Sequence, residues 1–371
     1  MWTLEILFTF LISIGITFFM MPKIITFSAK KHLYDTLDDR KQHQEQISRL
    51  GGIVFVPTIL ICIVCYMLFF ILYEGHSLPE FLTWRNILII GAFIIIYAAG
   101  VTDDLLQIGY RVKFIAQILA AILIVSSGLY FDDLYGFFGI EEIVPAIGMP
   151  LTALLIMTCI NAYNLIDGID GLCSGIAIIS LAFLACLFPS QDIDIFILLT
   201  ISTLGTLMVF FCFNVFGKAE KGRKIFMGDC GSQTIGLLLS VLAIHYCTQE
   251  TYTSGIPTEN KAVAICISLL MVPVFDVVRI IIHRLREHKN PFLPDRNHIH
   301  HKFLALGMGQ RSALMAILGI TLFFILFNLS LQKVFSITIL LILDIALYTL
   351  LNIVLTIYIG QQNSYLQRPL E

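Results

Sequence analysis

Amides and carboxylates recur every three residues along the segment NAYNLIDGIDG, residues 161–171, which follows the strongly apolar run 151–160. Such groups are costly to place beside a membrane-length segment, so they indicate function. Asn164 and Asp167 carry oxygen atoms of the kind that Mg²⁺ prefers as ligands. Residues three apart share a helix face, and the glycines of this segment permit the helix to open around a pocket. The alternative is an Asx-rich turn between two helices.

A pair of adjacent carboxylates, Asp103 and Asp104, ends another apolar run, and the cations Arg111 and Lys113 follow it. Adjacent carboxylates repel each other unless a cation holds them. The two cations are suited to contact a phosphate group, but basic residues also flank membrane segments for topological reasons alone. The pair is therefore a candidate catalytic site, with a solvated loop as the alternative.

A third carboxylate, Asp229, lies in the segment FMGDCGS, residues 226–232, where a further apolar run begins. Backbone N–H groups at the start of a helix favour an anion such as phosphate, and an aspartate there can hold a metal ion that bridges phosphate oxygens. Phe226 has a ring that can stack on a nucleobase, although packing in the core would also explain it.

Three histidines, His298, His300 and His301, form an HxHH pattern in the segment PDRNHIHHKF. The spacing does not match a common closed zinc motif and no cysteine is near, so a zinc site is disfavoured. Imidazoles beside Arg296 and Lys302 fit a phosphate-binding patch better.

An isolated carboxylate, Asp276, lies inside an apolar run after Pro273, and this proline predicts a kink in the helix. A charge inside such a run is either a site residue or the partner of a nearby cation, here Arg279. Both interpretations stay open from the sequence.

The chain that must position these groups has 371 residues, of which 58% are hydrophobic and only 13% charged, with a mean hydropathy of +0.88. Ordinary globular domains carry about 25% charged residues, so the composition predicts an integral membrane protein. Runs of spanning length, roughly 17–25 residues, predict one all-α polytopic domain over residues 1–371, a bundle of about eleven transmembrane helices. The runs are residues 3–21, 51–73, 86–102, 114–131, 149–165, 171–189, 193–213, 231–249, 261–282, 312–330 and 334–358.

The distribution of Lys and Arg predicts the orientation of these helices. The first run has no basic residue before it and no convincing small-residue cleavage site, so we expect a retained helix whose N-terminus faces out. Threading the runs from that end places 20 of the 23 Lys and Arg on the cytosolic side and leaves Arg85, Lys261 and Lys333 outside. The outer loop at about residues 132–149 has the composition of a short hairpin.

On this topology the polar segments converge on the cytosolic face, as expected for an enzyme that joins a cytosolic substrate to a membrane lipid. A cation-coupled transporter would place polar groups at the bilayer midplane, where we expect these spans to be nearly clean. A membrane metalloprotease would need a pattern such as HExxH, which is absent from the sequence. Paired carboxylates, an Asn/Asp cluster, cations and histidines together predict Mg²⁺-assisted phosphoryl transfer.

Five segments in this order resemble the polyprenyl-phosphate N-acetylhexosamine-1-phosphate transferases, the superfamily of the WecA/TagO and MraY types in glycosyltransferase family 4. The resemblance covers nearly the whole chain, from Arg49 to about Arg311, and implies ten or eleven helices around a cytosolic active-site cleft. Ser48 departs from the family, which often has proline there. The five segments are residues 48–52, 103–113, 161–171, 213–232 and 294–303.

The resemblance implies that a polyprenyl phosphate attacks the β-phosphorus of a UDP-sugar, giving a polyprenyl-diphospho-sugar and UMP. Mg²⁺ is the implied cofactor, with Mn²⁺ as an alternative. The family's catalytic positions correspond to Asp103, Asp104, Lys113, His298, His300 and His301. Its nucleoside-binding positions correspond to Asp167, Gly168, Asp170, Gly171, Asn214 and Phe226, and its metal ligands to Asn164 and Asp229.

The histidine pattern favours the WecA/TagO type, because MraY-type enzymes tend to have three consecutive histidines and Ile299 interrupts such a run here. This implies a simple UDP-N-acetylhexosamine, most simply UDP-GlcNAc, with an MraY-type phospho-MurNAc-pentapeptide transferase as the alternative. The implied acceptor is undecaprenyl phosphate in the lipid bilayer of a bacterial inner membrane, with no nucleic acid partner and a homodimer left open. The product would initiate a surface glycan. The basic stretch 218–224 is a candidate for contact with anionic lipid headgroups.

Overall fold

The computed structural model describes residues 4–33, 47–74, 83–188, 194–248, 260–290 and 297–366. Within these ranges the chain forms twelve α-helices and one two-stranded hairpin. The helices are α1 (Leu4–Lys31), α2 (Phe55–Glu74), α3 (Trp84–Leu106), α4 (Tyr110–Ser126), α5 (Pro145–Ile166), α6 (Leu172–Leu187), α7 (Ile195–Val215), α8 (Gly228–Thr248), α9 (Asn260–Arg286), α10 (Ile299–Ala305), α11 (Gln310–Leu331) and α12 (Ile337–Leu366).

Each of the eleven predicted apolar runs forms a helix, which confirms the all-α polytopic fold. Nine of the described helices are long and apolar enough to cross a membrane, whereas α4 and α6 are shorter. The helix α1 continues through Pro22 to Lys31, beyond the predicted end at residue 21. The seven-residue α10 was not predicted, because it has too few residues to produce an apolar run.

The helix α8 lies at the centre of the bundle and is buried along its length. It packs against α3, α5, α6, α7 and α9. Small residues permit this central position: a Cβ at Gly236 would lie 2.6 Å from the Cα of Ile160 in α5. Groups at the two ends of α8 are therefore held by several other helices.

The hairpin predicted at about residues 132–149 is confirmed. Strands β1 (Asp133–Phe137) and β2 (Ile140–Glu142) pair antiparallel, with Phe137 opposite Ile140. The Tyr135 hydroxyl donates a hydrogen bond to the Cys247 carbonyl near the end of α8. The hairpin thus covers the end of the bundle opposite to that of the predicted site.

One buried carboxylate departs from the expectation of clean spans. Asp344 lies within α12, is fully buried, and accepts hydrogen bonds from Asn328 Nδ2 of α11 at 3.0 and 3.1 Å. These hydrogen bonds join two neighbouring helices. The contact between α11 and α12 therefore accounts for a carboxylate inside an apolar span.

Candidate active site

One ammonium group joins two of the predicted carboxylates at one end of the bundle. Lys113, near the start of α4, donates from Nζ to Asp103 Oδ2 at 3.0 Å and to Asp229 Oδ2 at 2.8 Å. Asp103 lies near the end of α3 and Asp229 in the first turn of α8, so these ion pairs connect three helices. The three side chains are between 14% and 27% exposed. The cluster is thus accessible to a ligand from outside the bundle.

Asp104, the second carboxylate of the adjacent pair, has different partners. Its Oδ1 accepts a hydrogen bond from the backbone N–H of Asp229 at 2.8 Å, and its Oδ2 accepts one from that of Cys230 at 3.0 Å. The first N–H groups of a helix lack partners within the helix, so this carboxylate satisfies two of them. The end of α3 is thereby fastened to the start of α8.

The segment SRLGG supports the loop that precedes α8. The Phe226 N–H donates to the Ser48 carbonyl at 2.8 Å, and the N–H groups of Gly51 and Gly52 donate to the carbonyls of Phe226 and Met227 at 3.0 and 2.8 Å. A Cβ at Gly52 would lie 2.2 Å from the backbone nitrogen of Gly231. The sequence-predicted segment 48–52 therefore contributes backbone to the site, and glycine is required where the two segments touch.

Two amide side chains border the carboxylates. Asn164 Nδ2 donates to Ser232 Oγ at 2.9 Å, which leaves its carbonyl oxygen available as an acceptor. Gln233 Nε2 donates to Asp229 Oδ2 at 3.2 Å. The Gln233 Oε1 atom is buried and has no hydrogen-bond partner among the described residues. The site therefore has more oxygen acceptors than the neighbouring protein groups satisfy.

This set of donors has the chemistry of a magnesium site that is completed by a substrate. Within the described ranges, no three His, Cys, Asp or Glu side chains are placed as a ready-made metal cluster. Mg²⁺ is usually bound by one or two carboxylates, water and substrate phosphates rather than by an all-protein cage. Asp229 and the carbonyl oxygen of Asn164 fit that pattern, while Lys113 balances part of the negative charge.

The turn between α5 and α6 carries the predicted nucleoside-binding residues. Gly171, the residue just before α6, has φ +79°, and its N–H donates to Asn214 Oδ1 at 2.6 Å. Asn214 Nδ2 in turn donates to the Ile225 carbonyl at 2.8 Å. The buried amide of Asn214 is thus engaged by backbone on both sides, and it aligns the turn with the loop before α8.

Asp167, in the same turn, is close to several other carboxylates. Burial and the neighbouring charges of Asp170, Asp229 and Asp104 raise the pKa of Asp167 to about 8. An acid with that pKa is mostly protonated at pH 7 and can donate a hydrogen bond. A bound cation would favour the ionised form of Asp167 and so lower its pKa.

A lysine from the basic stretch reaches into this region. Lys224 Nζ lies 2.6 Å from Asp170 Oδ2, and both side chains are only 14% exposed. The same ammonium lies 5.8 Å from the centre of the Phe226 ring. Lys218, Lys221 and Arg223 are exposed by comparison, so the stretch has one inward-facing cation.

A cavity of about 400 Å³ opens beside this ion pair, a size in the range of small-molecule pockets. Arg311 at the start of α11 lines its opposite side, with its guanidinium 5.9 Å from the centre of the Phe216 ring. Two cations and one carboxylate therefore face the space. The lining residues are Asp170, Val215, Gly217, Lys224, Gly309, Gln310, Arg311 and Ser312.

The three histidines surround the start of α10 and meet the α5–α6 turn. The rings of His300 and His301 lie 4.2 Å apart, and those of His298 and His300 lie 5.7 Å apart. A Cβ at Gly168 would lie 2.1 Å from His300 Nε2, so only glycine leaves room for this ring. Burial and the two neighbouring imidazoles lower the pKa of His300 to about 3, which keeps it neutral at pH 7.

Asp276 holds the histidine segment in place. Its carboxylate is fully buried and lies 2.9 Å from His298 Nδ1 and 2.9 Å from Arg279 Nη2. The Ile299 N–H donates to both of its oxygens at 3.2 Å, and the Tyr348 hydroxyl to one at 3.4 Å. The predicted pairing of Asp276 with Arg279 is therefore confirmed, and the same carboxylate also contacts His298.

The structure brings the predicted residues into two adjoining groups at one end of the bundle. The first group is Asp103, Asp104, Lys113, Asn164 and Asp229; the second is Asp167, Gly168, Asp170, Gly171, Asn214, Phe226 and the three histidines. Asp295 and Arg296 lie outside the described residues. Sequence reasoning did not find Gln233 or Lys224, although Gln233 follows Asp229 by four residues and so shares its helix face.

Asn161 does not join either group. Its amide forms a reciprocal pair with Gln117 of α4, with Asn161 Nδ2 2.8 Å from Gln117 Oε1 and Gln117 Nε2 3.3 Å from Asn161 Oδ1. Its role is therefore to connect α4 to α5. The three-residue repeat drifts around the helix, so only its later members reach the carboxylates.

Comparison with known proteins places the chain among the glycosyl transferases. The sequence profile described as glycosyl transferase family 4 matches residues 86–247. That region contains the carboxylates, Lys113, the α5–α6 turn and the start of α8.

Similarity to individual proteins extends further along the chain. A probable undecaprenyl-phosphate N-acetylglucosaminyl 1-phosphate transferase of Bacillus subtilis (strain 168) is 31% identical over 332 residues, 88% of this chain and 84% of that protein. Undecaprenyl-phosphate α-N-acetylglucosaminyl 1-phosphate transferases of Yersinia pestis and Escherichia coli (strain K12) are 30% and 28% identical, over 84% and 81% of this chain and 80% and 78% of those proteins. The similarity is thus not confined to one motif.

Proposed function

The chain belongs to glycosyl transferase family 4, and we propose from this premise that it transfers N-acetylglucosamine 1-phosphate to undecaprenyl phosphate. The donor we propose is UDP-GlcNAc and the second product is UMP. The observation that carries the proposal is the cluster of Asp103, Asp229 and Lys113. This cluster lies inside the family-matched region and joins carboxylates with a single cation at an accessible helix junction.

The reaction exchanges one phosphoanhydride bond for another. An oxygen of the lipid phosphate attacks the β-phosphorus of the donor, and the bond from that phosphorus to the bridging oxygen breaks, so that UMP leaves with the oxygen. A phosphate monoester has a second pKa near 6, so most of the lipid phosphate is already dianionic at pH 7. The aspartates therefore have little need to act as bases, and positioning is their main task.

The protein groups of the site fit this charge distribution. The Lys113 ammonium can stabilise phosphate oxygens that gain charge as UMP departs. Asp229 and Asn164 are the residues that would hold Mg²⁺, which when bound neutralises negative charge on the diphosphate. His300 is neutral at pH 7, so it can donate a hydrogen bond to a phosphate without adding a second positive charge.

The cavity beside Asp170 and Lys224 is the proposed location of the uridine portion of the donor. The Phe226 ring offers a stacking surface next to it, and the carboxylate of Asp170 can accept the N–H of a uracil ring. The Lys224 ammonium keeps Asp170 from repelling the anionic donor. We propose this electrostatic role for Lys224 in place of contact with lipid headgroups.

The orientation follows the distribution of basic residues. We propose a bacterial inner membrane location with the N-terminus outside and the site on the cytosolic face, where a nucleotide sugar is available. The nine long apolar helices support a multi-pass membrane protein, and the excess of Lys and Arg on one side of the threading supports the orientation.

The test uses purified protein in detergent with Mg²⁺ and undecaprenyl phosphate. UDP-GlcNAc, UDP-GalNAc and UDP-MurNAc-pentapeptide are supplied separately, and UMP release is measured. We expect release from UDP-GlcNAc alone. Release only from the pentapeptide donor would contradict the proposed sugar while keeping the reaction, and no release from any donor by folded protein would contradict the proposed function.

A further inference from the structure

We propose that the two adjacent aspartates have separate tasks, which deepens the transferase function proposed above. Asp103 faces the reacting phosphates together with Lys113. Asp104 is a positioning residue that fixes the first turn of α8, and through it the carboxylate of Asp229. The pair that resembles a double catalytic acid is thus one ligand-facing group and one helix cap.

The contacts of the two carboxylates carry this division. Asp104 uses both oxygens on backbone N–H groups, those of Asp229 at 2.8 Å and Cys230 at 3.0 Å. Asp103 instead accepts from the side-chain ammonium of Lys113 at 3.0 Å. Adjacent residues on an α-helix point about 100° apart around its axis, so the two side chains are directed at different neighbours.

The chemistry at the start of α8 fits a cap. The N-terminal turn of a helix has N–H groups without partners and a partial positive charge, and a carboxylate satisfies both. Capping side chains normally come from the residue just before the helix. Here that cap is supplied from another helix, so α3 and α8 are held together where the site requires precision.

Two glycines permit this arrangement. Gly228, with φ +73°, comes so close that a Cβ on it would lie 2.6 Å from Asp104 Oδ2. One turn earlier on α3, a Cβ at Gly100 would lie 2.4 Å from the Cα of Cys230. The backbones of α3 and α8 are therefore in contact directly beside the capping bonds, which leaves Asp104 little freedom to turn toward a substrate.

Substitutions that keep or remove the cap separate the two roles. Asn keeps one oxygen that can accept from one of the two backbone N–H groups but cannot replace a carboxylate as a base or a cation ligand, whereas Ala accepts neither bond. We expect Asp104→Asn to lower kcat about three- to tenfold with the wild-type pH profile, and Asp104→Ala to lower kcat by about ten- to thirtyfold. Asp103→Asn and Asp103→Ser should both lower kcat by at least about 100-fold.

Hydrogen exchange gives a readout that requires no turnover. Amide exchange in a peptide covering residues 228–232 should become about tenfold faster in Asp104→Ala and stay unchanged in Asp103→Ala. Unchanged exchange in Asp104→Ala would overturn the proposal, as would an Asp104→Asn variant that folds yet is as inactive as Asp103→Asn. Lack of turnover by the wild-type protein would instead contradict the transferase function and leave the exchange test decisive for the cap.

Discussion

The helices α3 and α8 carry a polar cluster at each end, and the two clusters differ in their balance of charge. At the candidate active site, the carboxylates of Asp103 and Asp229 share one neighbouring ammonium, that of Lys113. Carboxylates are in excess, and the Lys113 and Asp229 side chains are 25% and 27% exposed. This end of the helix pair can therefore accept a cation together with an anionic substrate.

The cluster at the opposite end is balanced in charge. His245 Nε2 lies 3.3 Å from Asp194 Oδ2, and Arg85 Nη2 lies 3.4 Å from His245 Nδ1. Because a guanidinium only donates hydrogen bonds, Nδ1 must accept and the imidazole is neutral with its proton on Nε2. The ring is 3% exposed and stacks on Phe196 at 3.4 Å. The neutral ring thus lies between one cation, Arg85, and one carboxylate, Asp194. This contact also accounts for an arginine on the side predicted to carry few basic residues.

The difference indicates what separates a binding site from a structural contact in this protein. Both clusters are polar, both join three elements, and both lie at the ends of apolar helices. Only the first has an excess of one charge. Unbalanced charge that perturbs its neighbours is the physical mark of a functional site, and polarity alone is not.

Removing the charge of Asp229 should have the largest effect. We expect Asp229→Asn to lower turnover by at least about 100-fold, because the substituted group can no longer balance a bound cation or Lys113. UMP release measures the effect, and thermal unfolding in detergent shows whether the protein is folded. Turnover near that of wild type would contradict both the assignment of Asp229 as a metal ligand and the contrast between the two clusters.

A second comparison uses two buried carboxylates. Asp276→Asn should lower kcat by about 10- to 100-fold, because an amide cannot accept from all the groups that surround this position and His298 would lose its fixed orientation. Asp344→Asn is the matched control, since Asp344 is equally buried but bonds only to Asn328 among the described side chains. Equal losses of kcat in the two variants would show that burial, not contact with the histidines, decides the outcome.

The cation of the proposed donor pocket should have a smaller effect. Lys224→Met leaves Asp170 without its counter-ion beside an anionic donor, so we expect the KM for UDP-GlcNAc to rise about three- to tenfold. Lys221→Met removes the same charge from an exposed position of the same loop and should leave KM within about twofold. Initial rates over a range of donor concentrations measure both variants. An unchanged or lower KM in Lys224→Met would contradict the role given to this lysine.

The balanced cluster of Arg85, Asp194 and His245 should affect stability and not catalysis. His245→Phe keeps a ring against Phe196 but removes the hydrogen bonds to Arg85 and Asp194, so we expect the free energy of unfolding to fall by about 1–3 kcal/mol. The rate of UMP release per folded protein should remain within about twofold of wild type. A large loss of turnover without a loss of stability would show that the two ends of α3 and α8 are coupled.

The sequence predicts most of the helical architecture, because each span needs a long apolar run and the runs are separated by polar segments. It does not predict where a helix extends beyond its apolar run, as α1 does to Lys31, since backbone hydrogen bonds continue there without an apolar signal. The short α10 has too few residues for any periodicity test. Asp344 is visible within its apolar run, but its partner Asn328 on the neighbouring helix cannot be identified from the local pattern.

For the site, the sequence indicates the residue types and their common side of the bundle. It does not indicate which atoms meet. Asp104 pairs with the backbone of Asp229, and Lys224 pairs with Asp170, and both contacts join residues far apart in the chain. Spacing rules describe neighbours on one helix, so contacts between helices had to come from the structure.

The pairing of the SRLGG segment with the loop before α8 has a consequence for the order in which the protein is made. Ser48, Gly51 and Gly52 bond to Phe226 and Met227, and the six helices α2–α7 lie between these partners in the chain. Synthesis proceeds from the N-terminus, so the SRLGG segment is made long before the loop that precedes α8 and completes its hydrogen bonds. An insertion intermediate that ends before α8 therefore lacks both these hydrogen bonds and Asp229, so its site is incomplete.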